Sequence, residues 1–246
     1  MTHAVVAVFI VVYAGMLLGR LPRLQLDRTG LALVGAIVLI AGGALSLNEA
    51  AGAVDISTIA LLFAFMVISA QLRLGGFYTR AAEAVTSLKA SPALLLAAVI
   101  MLTGVLSAVF MNDIVCLAVP PVLIQACRRR GLDPVPYLLA VACASNVGSA
   151  ATLIGNPQNI LIGQSLALSF SGYLLIAAAP SLLGLVVTWC VIAWKYRGRW
   201  ADGKGLPADP PDGLPPWNPW QSSKALCITG VLFIVFLFTG LPRDIV

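Results

Sequence analysis

Apolar residues dominate 4–19, 30–46, 57–72, 92–127, 134–168, 173–194 and 225–241, with short polar breaks between them. A helix needs about 20 apolar residues to cross a hydrocarbon core of ~30 Å. The pattern therefore predicts helical spans near 4–19, 30–46, 57–72 and 173–194, with a further one from Lys224 to Thr239. The ~10-residue alternating segments of a membrane β-barrel are absent. The runs 92–127 and 134–168 are too long for one span each and carry polar residues inside them. Residues 76–90 are mixed, with Phe77, Ala81, Ala84, Val85 and Leu88 at helical spacing, which predicts an amphipathic helix lying on the membrane surface. Pro207, Pro210, Pro211, Pro215, Pro216 and Pro219 mark 197–223 as a linker, whose end Trp217 and Trp220 return to the interface.

Charge then orients the spans. Lys and Arg concentrate on the cytoplasmic side. Arg20, Arg23 and Arg28 follow the first span, so the N-terminus is expected outside. The first run lacks a basic segment before it and is expected to remain as a span rather than be cleaved as a signal peptide. Ser46 to Ile56 carries Glu49 and Asp55 and no base, as an outer loop would. Arg73, Arg80 and Lys89 mark the inside, and so do Arg128, Arg129 and Arg130. The segment between these clusters must therefore enter and return. Its second arm, Ile114 to Cys127, has 14 residues and would cover only ~21 Å as a helix. Pro120-Pro121 is expected to break helical hydrogen bonding there. A re-entrant helical hairpin over 92–127, with Asn112-Asp113 at its tip, fits this length better than two tilted crossings. Lys195, Arg197 and Arg199 return the chain to the inside after the span 173–194, so 134–168 must cross outward. On this map all of the 15 Lys and Arg except Arg243 are cytoplasmic.

The outward crossing contains A-S-N-V-G-S-A-A-T-L-I-G-N-P-Q-N, Ala144 to Asn159. Pro136 to Asn146 is half a bilayer of apolar helix, and Gly148 suits a helix C-terminus. Asn156-Pro157 reads as an N-cap followed by Pro at the first helical position. The expectation is a broken helix, with a non-helical loop from Val147 to Gly155 at the bilayer midplane. Such backbone is tolerated only against protein or a watery cavity. The first half-helix would present open carbonyls, suited to a cation, and the second its positive N-terminus, suited to an anion. The competing reading is a Gly/Ser-rich close-packing motif between intact helices.

Composition narrows the class of function. The chain is 60% hydrophobic and 10% charged, far from the quarter or so of charged residues in soluble domains. The net charge of +5 follows the topology and implies lipid rather than nucleic acid as the partner. The five Cys are scattered through apolar runs without metal-ligand spacing, and the single His, His3, is terminal. Neither points to an enzyme, a bound cofactor or a metal cluster. Of the ten acidic residues only Asp113 falls inside an apolar run. An intramembrane carboxylate is expensive and marks a functional site by default, the alternative being a neutral structural carboxyl pinning the turn.

Two stretches, S-A-V-F-M-N-D-I-V-C-L-A-V-P (Ser107 to Pro120) and Ala144 to Asn159, resemble the ion transporter superfamily. That superfamily includes divalent anion:sodium symporters, arsenite permeases and sodium/proton antiporters. The second stretch holds the T-x-I-G-x-P-x-N pattern at Thr152, Ile154, Gly155, Pro157 and Asn159. The tip Met111-Asn112-Asp113 departs from the Ser-Asn-Thr of the dicarboxylate branch, so the substrate does not follow from the likeness. The resemblance implies an all-α polytopic protein of two inverted repeats, moved as an elevator. One such half is present here, with its re-entrant hairpin and broken transmembrane helix. Residues 1–196 would be the first repeat and 197–223 a cytoplasmic linker. Residues 224–246 would be the first helix of a truncated second repeat, completed by a second half or a homodimer partner. The resemblance also implies a sodium site made by Asn112 and Asp113 with Ser145, Asn146 and Gly148. Thr152, Asn156 and Asn159 would lie beside the translocated ion. The expected activity is secondary transport of a small anion in the inner (plasma) membrane, coupled to sodium or protons. The alternatives are sodium/proton antiport, arsenite-type efflux, or a non-transporting half.

Overall fold

In the computed structural model, which describes residues 2–18, 27–201 and 216–239, the chain is built from α-helices. Extended pairing among the described residues is limited to one bridge between Leu132 and Ala201. The chain divides into two compact units, Met1–Ile56 and Ser57–Val246.

The smaller unit holds α1 (Thr2–Leu18), α2 (Arg28–Ala41) and α3 (Leu47–Gly52). Asp27 caps α2, accepting from the Gly30 N–H at 2.7 Å. The span expected to reach residue 46 stops at Ala41, because Gly42 and Gly43 turn the chain, Gly43 at φ +68°. Ser46 and Glu49 then form a reciprocal capping box that starts α3 inside the expected outer loop. The two hydrogen bonds from Ser46 hold the Glu49 carboxyl below its ordinary range.

The larger unit holds α4 (Ile56–Leu74), α5 (Phe77–Thr86), α6 (Pro92–Val109), α7 (Asn112–Arg129), α8 (Val135–Ser149), α9 (Pro157–Ser165), α10 (Phe170–Lys195) and α11 (Pro219–Phe238). By length and apolarity α4, α6, α10 and α11 can each cross a membrane. Together they make this an all-α polytopic membrane protein.

Several elements differ from expectation. Helix α7 runs unbroken through Pro120 and Pro121, so the hairpin arms α6 and α7 have 18 residues each, about 27 Å. Two prolines remove two helical N–H donors, which a membrane helix tolerates when its neighbours re-satisfy the carbonyls. Helix α11 begins at Pro219, five residues before Lys224, because Asn218 caps it through the Gln221 N–H. Most of the proposed linker, 202–215, lies outside the described residues, as do Arg20, Arg23 and Arg243. Helix α5 buries Tyr78, Ala82 and Thr86, spaced four apart, against the hairpin. The rings of Phe77 and Tyr78 each pack edge-on against Phe110 at the hairpin turn. Near the other end of this segment Arg130 Nη2, past the end of α7, donates to the Leu88 carbonyl. The polar/apolar pattern of 76–90 thus reflects packing along the hairpin as well as any contact with the interface.

Helices α6 and α8 run side by side in the same direction. Tyr137 OH bonds the Pro92 carbonyl at 3.1 Å at one end, and Thr152 Oγ1 donates to the Ala108 carbonyl at the other. Helix α10 runs against both. Trp189 Nε1 reaches the Ala93 carbonyl at 2.9 Å, and Leu185 lies against Gly104. Gly184, near the middle of the 26-residue α10, lies against Val147. Helix α8 therefore stops beside the midpoint of the longest apolar helix in the unit.

Candidate functional site

The break between α8 and α9 covers residues 150–156. It starts three residues later than expected, since Val147, Gly148 and Ser149 are helical. Gly148 is there for close approach and not for a C-cap. A Cβ at Gly148 would sit 2.3–2.7 Å from the Gly104 backbone, so α6 and α8 touch at full backbone contact. The close-packing reading thus holds for this glycine, and the broken-helix reading holds for the residues after it.

The loop is stitched by its own amides. Asn156 caps α9, its Oδ1 accepting from the Asn159 N–H at 2.8 Å. Its Nδ2 donates to Ser149 Oγ at 3.1 Å. Asn159 Nδ2 donates to the carbonyls of Ser149 at 3.2 Å and Thr152 at 2.8 Å. Ser149 Oγ in turn donates to the Asn146 carbonyl at 2.9 Å. Gly155 has no room for a side chain, as a Cβ would lie 2.3 Å from the Ser149 carbonyl oxygen and 2.9 Å from that of Ser107. Leu153 and Ile154 point the other way, into an apolar cluster with Phe65, Met111, Phe170 and Phe236.

This network corrects the expected open carbonyls at the end of α8. The Gly148 carbonyl accepts from the Ala150 and Ala151 amides, that of Ser149 from Asn159, and that of Ala150 from Tyr173 OH at 3.1 Å. The protein itself satisfies these three carbonyls.

The hairpin turn meets the loop directly. The Asn112 N–H donates to the Gly155 carbonyl at 3.2 Å. The Asn112 side chain is 9% exposed, and its Oδ1 is buried without a hydrogen-bond partner. Beside it the Asp113 carboxylate is exposed, with no hydrogen-bond or ion-pair partner among the described residues. Both residues open onto a cavity of about 410 Å³ lined also by Asn146, Asn156, Pro157, Gln158 and Asn159. The first turns of α7 and α9 therefore face one polar space. Of their early amides, those of Asn112, Ile114, Val115, Asn159 and Ile160 have acceptors. Helix N-termini carry about half a positive charge each. The cavity thus combines two positive helix ends, one carboxylate and several side-chain amides.

Of the eight site residues expected from the sequence, the cavity collects Asn112, Asp113, Asn146, Asn156 and Asn159. Ser145, Gly148 and Thr152 are buried behind it. Ser145 Oγ contacts Cys116 Sγ at 2.9 Å and donates to the Ala142 carbonyl, while Thr152 ties the loop to α6. Three residues were missed. Gln158 lines the cavity from the first turn of α9, and Ser149 is the hub of the loop network. Ser107 has a fully buried, unpartnered Oγ four residues before the turn and a carbonyl against Gly155. Polar side chains flanking a break in an apolar run are the signal that would have found all three.

An apolar bundle with a broken helix and a polar cavity at the break is the architecture of a membrane transporter. The chain belongs to the citrate transporter family, CitMHS, whose model matches residues 6–245. It is similar to the silicon efflux transporter LSI3 of Oryza sativa subsp. japonica, with 31% identity over 71% of this chain and 36% of that protein. It is also similar to the putative transporter arsB of Dictyostelium discoideum, with 27% identity over 71% of this chain and 31% of the relative. The magnetosome protein MamN of Paramagnetospirillum magneticum matches at 30% identity over 72% of this chain and 41% of its own length. The chain spans less than half the length of each.

Proposed function

We propose that this chain is one half of a secondary active transporter that binds a small anion in the cavity between α7 and α9, coupled to sodium or protons through Asp113. The observation that carries this reading is a single polar cavity bounded by two helix N-termini and an unpaired carboxylate. Two N-termini attract an anion, whereas an ionised Asp113 beside them repels one. A bound cation removes that conflict, so the cation binds first and the anion second. Oxygens available to a cation here are the Asp113 carboxylate and the buried Oδ1 of Asn112. Oxygen donors of this kind suit a hard cation such as sodium.

The re-entrant course of α6–α7 belongs to this reading. So do the proposed boundaries: a first repeat over 1–196, then the opening helix of a second. The reading includes a partner half or second copy, the inner (plasma) membrane as location and an outside N-terminus. The same carboxylate supports a second reading, sodium/proton antiport or arsenite-type efflux, in which Asp113 exchanges its proton for the cation.

A thermal-unfolding screen of the detergent-purified protein separates these readings. Citrate, silicate, arsenite, sulfate and phosphate are each tested with sodium, with choline, and over a range of pH. Anion-dependent stabilisation that appears only with sodium or at low pH supports coupled anion transport. Stabilisation by sodium that falls as pH is lowered, with no anion response, supports antiport. No response to any ion points to the non-transporting half.

A further inference from the structure

Two groups of bases far apart in the chain meet at one end of the larger unit. Arg128 and Arg129 close α7 and Arg130 follows, while Lys195 closes α10 and precedes Arg197 and Arg199. The segments after the two helices pair with each other. Leu132 bridges Ala201, and the Asp133 N–H donates to the Trp200 carbonyl at 2.9 Å. The Trp200 ring packs on Tyr137 with centroids 6.3 Å apart. Gly131 and Gly198 make the tight turns, at φ +63° and +78°. Six bases therefore flank one short backbone junction.

Their charge is only partly cancelled locally. The ion pair found among the described residues is Arg80–Glu83, on α5. Asp133, the acid within the junction, accepts from the Val135 N–H at 2.9 Å through Oδ1, and its negative charge offsets one of the six. Helix C-termini contribute about half a negative charge each, so the ends of α7 and α10 offset roughly one more and a clear positive excess remains. Two guanidiniums are held by backbone, Arg130 on the Leu88 carbonyl and Arg199 on that of Lys195 at 2.8 Å. Arg128, Arg129, Arg197 and Arg199 are exposed, and Trp194, one residue before Lys195, is 79% exposed. An exposed Trp at the end of an apolar helix beside clustered bases is the composition of a membrane–water interface. Topology alone requires bases somewhere in these loops; the bridge concentrates them at one place.

We propose that this junction binds the headgroup of an anionic phospholipid. Arg128 and Arg129 hold its phosphate from the α7 side, Arg197 and Arg199 from the α10 side, and Trp194 lies at the depth of its glycerol. Binding there clamps the α7–α8 turn to the segment after α10. The site is separate from the cavity between α7 and α9, and the proposal does not depend on the transport reading.

The test is thermal unfolding of the delipidated protein in neutral detergent. Phosphatidylglycerol, phosphatidylcholine and inorganic phosphate are added at equal phosphate concentration. Phosphatidylglycerol is expected to raise the midpoint well beyond phosphatidylcholine, with the gain shrinking in high salt. Inorganic phosphate is expected to leave it unchanged. Arg197→Gln with Arg199→Gln is expected to weaken the apparent affinity for phosphatidylglycerol about fivefold or more per base removed. Arg80→Gln, on the ion-paired base of α5, should not. If the double Gln variant does not fold, Arg197→Lys with Arg199→Lys replaces it and must keep the response. Equal shifts with the two lipids, a full shift with inorganic phosphate, or an undiminished shift in the Gln variant would overturn the proposal.

Discussion

Asn159 shows how one side chain can hold a non-helical loop inside an apolar protein. Its Nδ2 serves the Ser149 carbonyl at the end of α8 and the Thr152 carbonyl in the loop, while its own N–H is capped by Asn156. Asn159→Ala leaves two carbonyls short of a donor, at about 1–3 kcal/mol each where buried. The expected outcome is a clear drop in unfolding midpoint by circular dichroism in detergent. Asn156→Ala, which removes an N-cap, is expected to cost less, about 1 kcal/mol. A larger loss for Asn156→Ala than for Asn159→Ala would contradict the network as described. At the other extreme of exposure, Glu49 owes its lowered pKa to the two hydrogen bonds of Ser46. A depressed folded-state pKa means the carboxylate stabilises the capping box above its unfolded value of about 4.5. That contribution is lost as pH falls through the folded pKa. Hydrogen exchange over Leu47–Gly52, corrected for intrinsic rates, should therefore accelerate on acidification, and Glu49→Gln should remove that pH dependence.

Among the elements, the contact of α6 with α8 is set by Gly148, whose missing side chain lets it sit directly on the Gly104 backbone. Lipid tails are as apolar as side chains, so helices in a membrane associate through close packing rather than through burial. Gly148→Val would drive a branched side chain into the Gly104 backbone and separate the helices. A loss of about 3 kcal/mol or more is expected, with the drop seen in thermal unfolding. Near-wild-type stability would mean that α6 and α8 do not cross there. The same position shows what the sequence could and could not reveal. Asn156-Pro157 located the start of α9, because cap chemistry is local. Gly148 could serve either as a C-cap or as a contact, and only the position of Gly104 decides between them. Asn218-Pro219 carries the same start signal for α11, hidden in a Pro-rich stretch read as linker. Pro120-Pro121 pointed to a break that α7 does not have, because tolerance of proline depends on neighbours that a single sequence does not show.

Across the whole molecule, the apolar pattern and the positive charges were enough to set the class, an all-α polytopic membrane protein, while membership of the citrate transporter family rests on the match over residues 6–245. The polar residues interrupting that pattern, Asn112-Asp113 and Asn156 to Asn159, meet around one cavity although more than 40 residues separate them. Which of their atoms stay free is a property of the fold. Ser145 and Thr152 are buried behind the cavity, where their hydroxyls donate to the carbonyls of Ala142 and Ala108. Asp113 and the Oδ1 of Asn112 have no partner among the described residues. Cation binding at Asp113 is the claim on which the proposed coupling rests. It is tested most directly by the sodium dependence of thermal unfolding, wild type against Asp113→Asn, with choline as the control cation. A ligand that binds only the folded state raises stability by about 1.4 kcal/mol at ten times its Kd, enough to move the midpoint by degrees. The account predicts a saturable rise with sodium in the wild type and none in Asp113→Asn, both proteins having the same helical content. An equal rise in the two proteins, or a rise with choline as large as with sodium, would contradict it.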